Sequence, residues 1–271
     1  MPPIDVAAEV ISNLTLSADY NVVSLAAPAI AAAAAPGQFV MVKAAAGHDP
    51  LLRRPFSVFD VMREANGAPS GISILNKRIG AATALLYAAR PGQRFACLGP
   101  LGNKWLLGRS PEQAYMVAGG VGLAAFATLA RSLGASGVPM TMFYGARTGA
   151  ELVYLDFFRD LGVELVLTTE DGSIGERGRV VAPLERYLAD PPRDAAVVVY
   201  ACGPEGMMAA AAGIARRFGT PCLVSMERTM ACGLGGCYSC VVPIRGADGS
   251  FDHVRSCLAG PVMAGDAIAW D

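Results

Sequence analysis

Three cysteines crowd into nine residues, as Cys232, Cys237 and Cys240, and a fourth, Cys257, follows after sixteen more, giving the spacing C-x4-C-x2-C-x16-C. Three thiols so close in sequence can share one centre only if the backbone turns sharply, and Gly233, Gly235 and Gly236 offer the positive φ angles that such turns need. Four thiolates at this spacing are the plant-type donor set of a [2Fe-2S] cluster, which exchanges electrons one at a time. The competing reading is structural zinc, which usually draws its ligands from two C-x2-C knuckles. Only one is present.

At 271 residues the chain exceeds most single domains, so two or three compact units are expected and a bare ferredoxin is excluded. With 22 basic against 23 acidic residues there is no field to gather nucleic acid or anionic lipid, and neither partner is expected. The longest apolar run, 25–36, falls well below the ~20 residues of a spanning helix, and no membrane association is expected. Residues 1–5 lack the basic start and apolar core of a signal peptide, which predicts a cytoplasmic location. In that reducing compartment clustered cysteines point to metal before disulfides.

Short β-rich runs broken by glycine and proline recur at 22–26, 39–43, 56–61, 72–77 and 94–98, with one short helix at 83–89. Runs of that length and spacing predict a small antiparallel β-barrel. After Pro111 the pattern changes to strands at 115–118, 140–145, 164–168 and 197–201, alternating with helices at 123–133, 153–161 and 207–218. That alternation predicts a Rossmann-like α/β domain. Beyond Pro221 the chain is rich in glycine and cysteine and ends in a hairpin, 241–244 with 251–255, turning at 246–249. The expected domains are a β-barrel at 1–108, an α/β domain at 109–220 and a cluster module at 221–271.

Arg54, Pro55, Phe56 and Ser57 offer a guanidinium for a pyrophosphate, an aromatic face for a flat ring and a hydroxyl for a ring nitrogen. Arg53 and Arg54 beside a strand also fit a solvated sheet edge. Downstream, Ile74, Leu75 and Asn76 lead into Gly80, Ala82 and Thr83, small residues and a capping threonine opening a helix, a natural seat for phosphate. In the α/β domain Gly119, Gly120 and Gly122 turn between strand and helix where a dinucleotide would be held, although G-x-G-x-x-G is incomplete and a packing turn reads as well. Cys202, Gly203 and Pro204 then place a compact thiol where a buried strand ends, at the sheet edge that binds ligands. Arg147 could contact an adenosine phosphate or be an ordinary surface arginine. Cys97 and Cys222 read as small buried hydrophobes, the 11 methionines as core filler, and His48 and His253 fit no motif.

Taken in order, Arg54-Pro55-Phe56-Ser57, the turn from Gly119 to Gly122, Cys202-Gly203-Pro204 and the four-cysteine tail resemble the electron-transfer subunits of type B dihydroorotate dehydrogenases, within the ferredoxin-NADP reductase superfamily. The resemblance implies FAD on the barrel, NAD(H) on the α/β domain and a [2Fe-2S] cluster facing an FMN-containing catalytic subunit in a heterotetramer. By position it implies that Arg54 contacts the FAD phosphates, Phe56 the flavin or ribityl region and Ser57 the flavin N5 side, with residues 80–83 cradling pyrophosphate and Cys202 beside the nicotinamide. Ser57 and Cys202 are thus the implied catalytic residues. Asp171 and Ser173 match an Asp-Gly-Ser loop of the family. The family's glycine turn usually continues to a proline where this chain has Ala124, a change a helix's first turn tolerates.

The implied activity is electron transfer between dihydroorotate oxidation on the partner and NAD(H), with FAD joining two-electron and one-electron exchange. Here the protein positions groups and tunes potentials. A reductase component feeding another oxidoreductase, such as an oxygenase or demethylase, carries the same motifs. A non-enzymatic zinc-binding or redox-sensing module would require three separate site patterns to be accidental.

Overall fold

The computed structural model describes residues 2–45, 47–105, 111–191, 195–246 and 249–270. In the first half β1 (Ile4–Thr15), β2 (Tyr20–Ala26), α1 (Pro28–Ala33), β3 (Phe39–Lys43), β4 (Arg54–Ser57), β5 (Asp60–Arg63), β6 (Pro69–Lys77), α2 (Ala81–Tyr87) and β7 (Arg94–Leu101) follow one another. The strands form a seven-stranded antiparallel sheet in the order β4-β3-β7-β1-β2-β6-β5. The expected barrel takes the form of a curled half-barrel whose inner face is filled by Val10, Val23, Leu25, Val40, Ile72, Ile74 and Phe95. Period-2 alternation drives this: along β1, Ala8 and Val10 are buried while Glu9 between them is exposed. The run at 56–61 divides into β4 and β5, because Val58 and Phe59 leave the ladder and both become buried.

The second half runs through β8 (Gln113–Gly119), a 3-10 turn (Gly120–Ala125), α3 (Ala127–Ala135), β9 (Met140–Ala146), α4 (Leu155–Asp160), β10 (Val163–Thr169), β11 (Glu176–Arg177), α5 (Val181–Ala189), β12 (Val197–Cys202), α6 (Glu205–Arg217) and β13 (Cys222–Ser225). The hairpin β14 (Val241–Arg245) and β15 (Phe251–Arg255), then α7 (Ser256–Ala259) and β16 (Val262–Ala264), complete it. Residues 247 and 248 of the expected hairpin turn lie outside the described residues. The α/β sheet has the order β11-β10-β9-β8-β12-β13-β16, parallel except for β16. The strand order reverses between β8 and β12, the point where open α/β sheets hold ligands. Segment 221–271 is interleaved with this sheet, since it contributes β13 and β16. The other expected boundary, at 108, falls outside the described residues.

The two halves share an apolar core. Phe59 of the half-barrel reaches across to Tyr154, Phe157 and Phe158, with ring centroids 5.8, 5.2 and 6.3 Å away. Asp60 beside it takes a two-pronged ion pair from Arg131 of α3, at 2.7 and 2.6 Å. At the connection Trp105 is buried, stacks on Phe126, meets Tyr200 edge-on and donates to the Ala125 carbonyl at 3.2 Å.

Phe59→Ala empties a site that both halves pack upon and is expected to cost about 3–5 kcal/mol. The check is a lowered urea-denaturation midpoint.

Candidate functional site

Below the junction lies a cavity of about 640 Å³, within the usual range for a cofactor pocket. Arg54, Pro55, Phe56, Ser57, Leu75, Gly80, Ala82 and Thr83 line it from the half-barrel. The two neighbouring arginines have separate tasks. Arg53 pairs with Asp5 on the surface at 2.8 Å, whereas Arg54 lines the cavity and is steadied by bonds from its Nη1 to the carbonyls of Leu52 and Arg53, at 2.9 and 3.2 Å. Ile74 and Asn76 are not brought into the cavity. Strand alternation turns Leu75 and Lys77 toward it, while Ile74 joins the half-barrel core and Asn76 is fully buried.

A second cavity, about 620 Å³, opens at the carboxyl ends of β8 and β12 and is lined by Gly119, Gly120, Gly203 and Pro204. Gly122 does not line it and instead serves packing: a Cβ there would lie 2.2 Å from the Cys202 carbonyl oxygen, so only glycine lets the turn approach β12. Cys202 faces the first cavity. Burial, reinforced by the charge of Glu227, holds its thiol well above the usual cysteine pKa, so it is a neutral thiol. Lys77, Val121 and Glu227 line both cavities, which therefore adjoin. Arg147 lines the second cavity and pairs with Glu151. Asp171 does not line it: its carboxylate accepts from the Ser173 hydroxyl at 2.6 Å, and Ser173 Oγ accepts from the Gly149 N–H at 2.7 Å, bracing the loop.

The cysteine loop lies against the far wall of the first cavity. Cys240 and Cys257 are buried with Phe39, Met41, Leu101 and Met230, and of these Phe39 and Met230 also line that cavity. Two residues of the cavity wall and two of the thiols thus belong to one apolar cluster. Gly233, with φ +71, folds the loop onto Met41, where a Cβ would meet Cγ at 2.6 Å. Gly235 is also left-handed, but Gly236 is not; Tyr238, with φ 56, takes the third such position under the Arg255 guanidinium, 4.5 Å from its ring centroid.

All four thiols are free of disulfides, and among the described residues no three His, Cys, Asp or Glu side chains close into a metal shell. They are nonetheless linked. Cys237 bonds with Ser239 and Cys232, which lowers its pKa to about 6, while burial, with Cys240 and Cys232 alongside, raises Cys257 to about 12. The Leu234 N–H donates to Cys232 Sγ at 3.3 Å. Four thiols linked in this way, two on an apolar floor and Cys232 taking a backbone donor, fit an iron–sulfur cluster.

Comparison with known proteins agrees with this geometry. Residues 227–269 match the iron-sulfur cluster binding domain of dihydroorotate dehydrogenase B, and residues 116–213 match the oxidoreductase NAD-binding domain. The dihydroorotate dehydrogenase B (NAD(+)) electron transfer subunit of Desulforamulus reducens is 35% identical over 246 residues, 90% of each chain. That of Bacillus caldolyticus is 37% identical over 237 residues, 86% of each. The chain belongs to this electron transfer subunit family. A chain from an NADH-dependent reduced ferredoxin-NADP oxidoreductase, studied for flavin-based electron bifurcation, superposes with a TM-score of 0.82 at 27% identity, covering 98% of this chain and 91% of that one. The ferredoxin reductase of carbazole 1,9a-dioxygenase shares the fold, with a TM-score of 0.66 at 22% identity over 82% of this chain and 68% of that one. As a member of the dihydroorotate dehydrogenase B electron transfer subunit family, the chain is an NAD-linked oxidoreductase subunit with FAD and [2Fe-2S] cofactors.

Sequence reasoning missed the segment 225–230, whose residues Ser225 to Met230 all line the first cavity. Its one available signal was position: it leaves a buried strand at the ligand-binding edge of the sheet. Glu227 matters most, because it stands where the cavities meet. Its carboxylate is open to cavity water yet crowded by protein, and that desolvation raises its pKa. A carboxyl with a raised folded-state pKa burdens the fold above that pKa, and the burden disappears as pH falls below the unfolded value. Glu227→Gln is therefore expected to melt at higher temperature than the parent at pH 7, with the gap closing toward pH 4. Thermal melts at both values check it.

Proposed function

We propose that this chain carries electrons between NAD(H) and a partner flavoenzyme that oxidises dihydroorotate to orotate, and that it works in the cytoplasm. The observation that supports this reading is the shared cluster: Phe39 and Met230 line the flavin-sized cavity and pack in the same apolar cluster as Cys240 and Cys257. When bound, the nicotinamide exchanges a hydride, FAD exchanges one or two electrons, and the cluster accepts one.

Each part of the chain has a task in this reading. Arg54 and the turn 80–83 hold the flavin's phosphates, Phe56 flanks its ribityl region and Ser57 offers a hydroxyl to the N5 edge. Gly119, Gly120, Gly203 and Pro204 let the nicotinamide dinucleotide approach the backbone at the switch point. The neutral Cys202 thiol and Glu227 fill the junction between the two rings. Cys232, Cys237, Cys240 and Cys257 ligate the cluster, and the exposed lip with Cys237 faces the partner. That partner is an FMN-containing catalytic subunit, the pair assembling as a heterotetramer. No helix among the described residues is long and apolar enough to cross a membrane.

The decisive test is isolation of the complex from its native cell. Flavin, iron and dihydroorotate-dependent NAD+ reduction should purify together. An FMN-free preparation that reduces a different acceptor would overturn the assignment of the partner. At the level of this chain, Cys240→Ser is expected to lose the cluster and abolish electron delivery to the partner, while FAD content and NADH-to-dye activity stay near the parent's. Loss of the flavin along with the cluster would contradict two separable sites.

A further inference from the structure

The turn that walls the flavin cavity at 79–83 belongs to α2, a helix of only seven residues. A helix that short has no stability of its own in water. Its start closes on itself through one side chain: Thr83 Oγ1 accepts from the N–H groups of Ile79 and Gly80 and donates to the Gly80 carbonyl, each at 2.9 Å. Something else must fix where the wall stands relative to the sheet.

Beside the burial of Leu86 and Ala89 in the half-barrel core and a bond from the Tyr87 hydroxyl to the Ser17 carbonyl at 2.8 Å, three asparagines from three strands do this. Asn76 on β6 donates to the Thr83 carbonyl at 3.0 Å and to Asn21 Oδ1 at 2.8 Å. Asn21 on β2, its direct cross-strand partner, donates to the Leu86 carbonyl at 3.1 Å and to Asn13 Oδ1 at 2.7 Å. Asn13 on β1 spends both donors on α2 and its exit, at the carbonyls of Tyr87 and Ala89, each at 2.9 Å. The amides run head to tail, so turning any one of them would set oxygen against oxygen. The Tyr87 carbonyl is among the last of the helix, which lack a partner within it, whereas the Leu86 carbonyl also accepts from the Ala89 N–H at 3.2 Å.

Asn21 and Asn76 are both fully buried. Branched apolar side chains would fill such positions in a sheet without the cost of desolvating two amides. Their use is explained by the backbone they grip. Asn76 is the residue the sequence placed among the cofactor ligands, and it lies one residue from the cavity-lining Leu75 and Lys77 without touching the cavity.

We propose that Asn13, Asn21 and Asn76 form a positioning relay that holds the phosphate wall at 80–83 in register with the sheet, so that affinity for a phosphorylated flavin depends on residues that touch no cofactor. The inference rests on the reading that the flavin diphosphate lies against 80–83. It separates from a general structural role through the ligand: riboflavin has the ring but no phosphate and makes no use of the wall.

The experiment uses the full-length chain freed of flavin and titrated with FAD and with riboflavin, as parent, Asn13→Ala and Asn76→Ala. Loss of the two bonds of Asn76 or the three of Asn13 should weaken FAD binding about fivefold to tenfold, with riboflavin affinity unchanged and amide exchange in 83–89 accelerated. Unchanged FAD affinity in both variants, or equal weakening of both flavins, overturns the relay. Should Asn76→Ala fail to fold, the part-exposed Asn13→Ala decides alone. If the parent itself binds FAD no more tightly than riboflavin, the underlying placement of the diphosphate is wrong and the relay falls with it.

Discussion

Phe39 and Met230 line the flavin-sized cavity and also belong to the apolar cluster that buries the thiols of Cys240 and Cys257. Electron transfer requires short gaps, and an apolar cluster shared by the cavity wall and the thiols keeps the two sites close without admitting water. Much of the remaining architecture can be understood as what keeps that cluster in place. Phe39 is supplied by β3 of the half-barrel, while Met230 sits on the chain leaving the α/β sheet at β13. The wall exists only because the two halves meet along one core, where Phe59 and Trp105 leave no room for them to slide.

A similar economy governs the junction of the two cavities. Gly122 brings the turn against the Cys202 carbonyl, and the Arg228–Glu205 pair, at 2.7 and 2.9 Å, ties the segment after β13 to the start of α6. These contacts bring Cys202, Glu227 and Lys77 to one place from three distant stretches of chain. Crowding by protein sets the state of two of them: the Cys202 thiol remains neutral and the Glu227 carboxyl has a raised pKa. The cysteine loop differs, since Cys237 is fully exposed at its lip and two partners already stabilise its thiolate.

Where local chemistry decided the outcome, it was legible in the sequence. The cysteine spacing, the strand–turn–helix passages at Gly119 and Cys202, and Arg54 with Ser57 each depend on neighbours within a few residues, so they could be read before any fold was known. Reading failed where a partner far along the chain decided the state. The alanine-rich run at 28–33 offers no amphipathic period, yet it forms α1 because Ile30 and Ala31 find the half-barrel core. Strand β13 looked like part of the cysteine module until β12 and β16 took its hydrogen bonds. Asn76 looked like a ligand because it adjoins the phosphate turn, but the alternation of β6 points it inward to α2.

The sequence by itself determined the cysteine spacing, the order of the motifs and the family, because thiol spacing, glycine turns and a guanidinium beside a hydroxyl carry their chemistry wherever they are placed. The tertiary structure alone decided that Met230 joins the cavity wall to the cluster around two thiols, that Glu227 stands where two cavities meet and that three asparagines grip a helix. Each of these depends on side-chain direction and on which distant surface is buried against which, and packing settles both only when the two sheets come together.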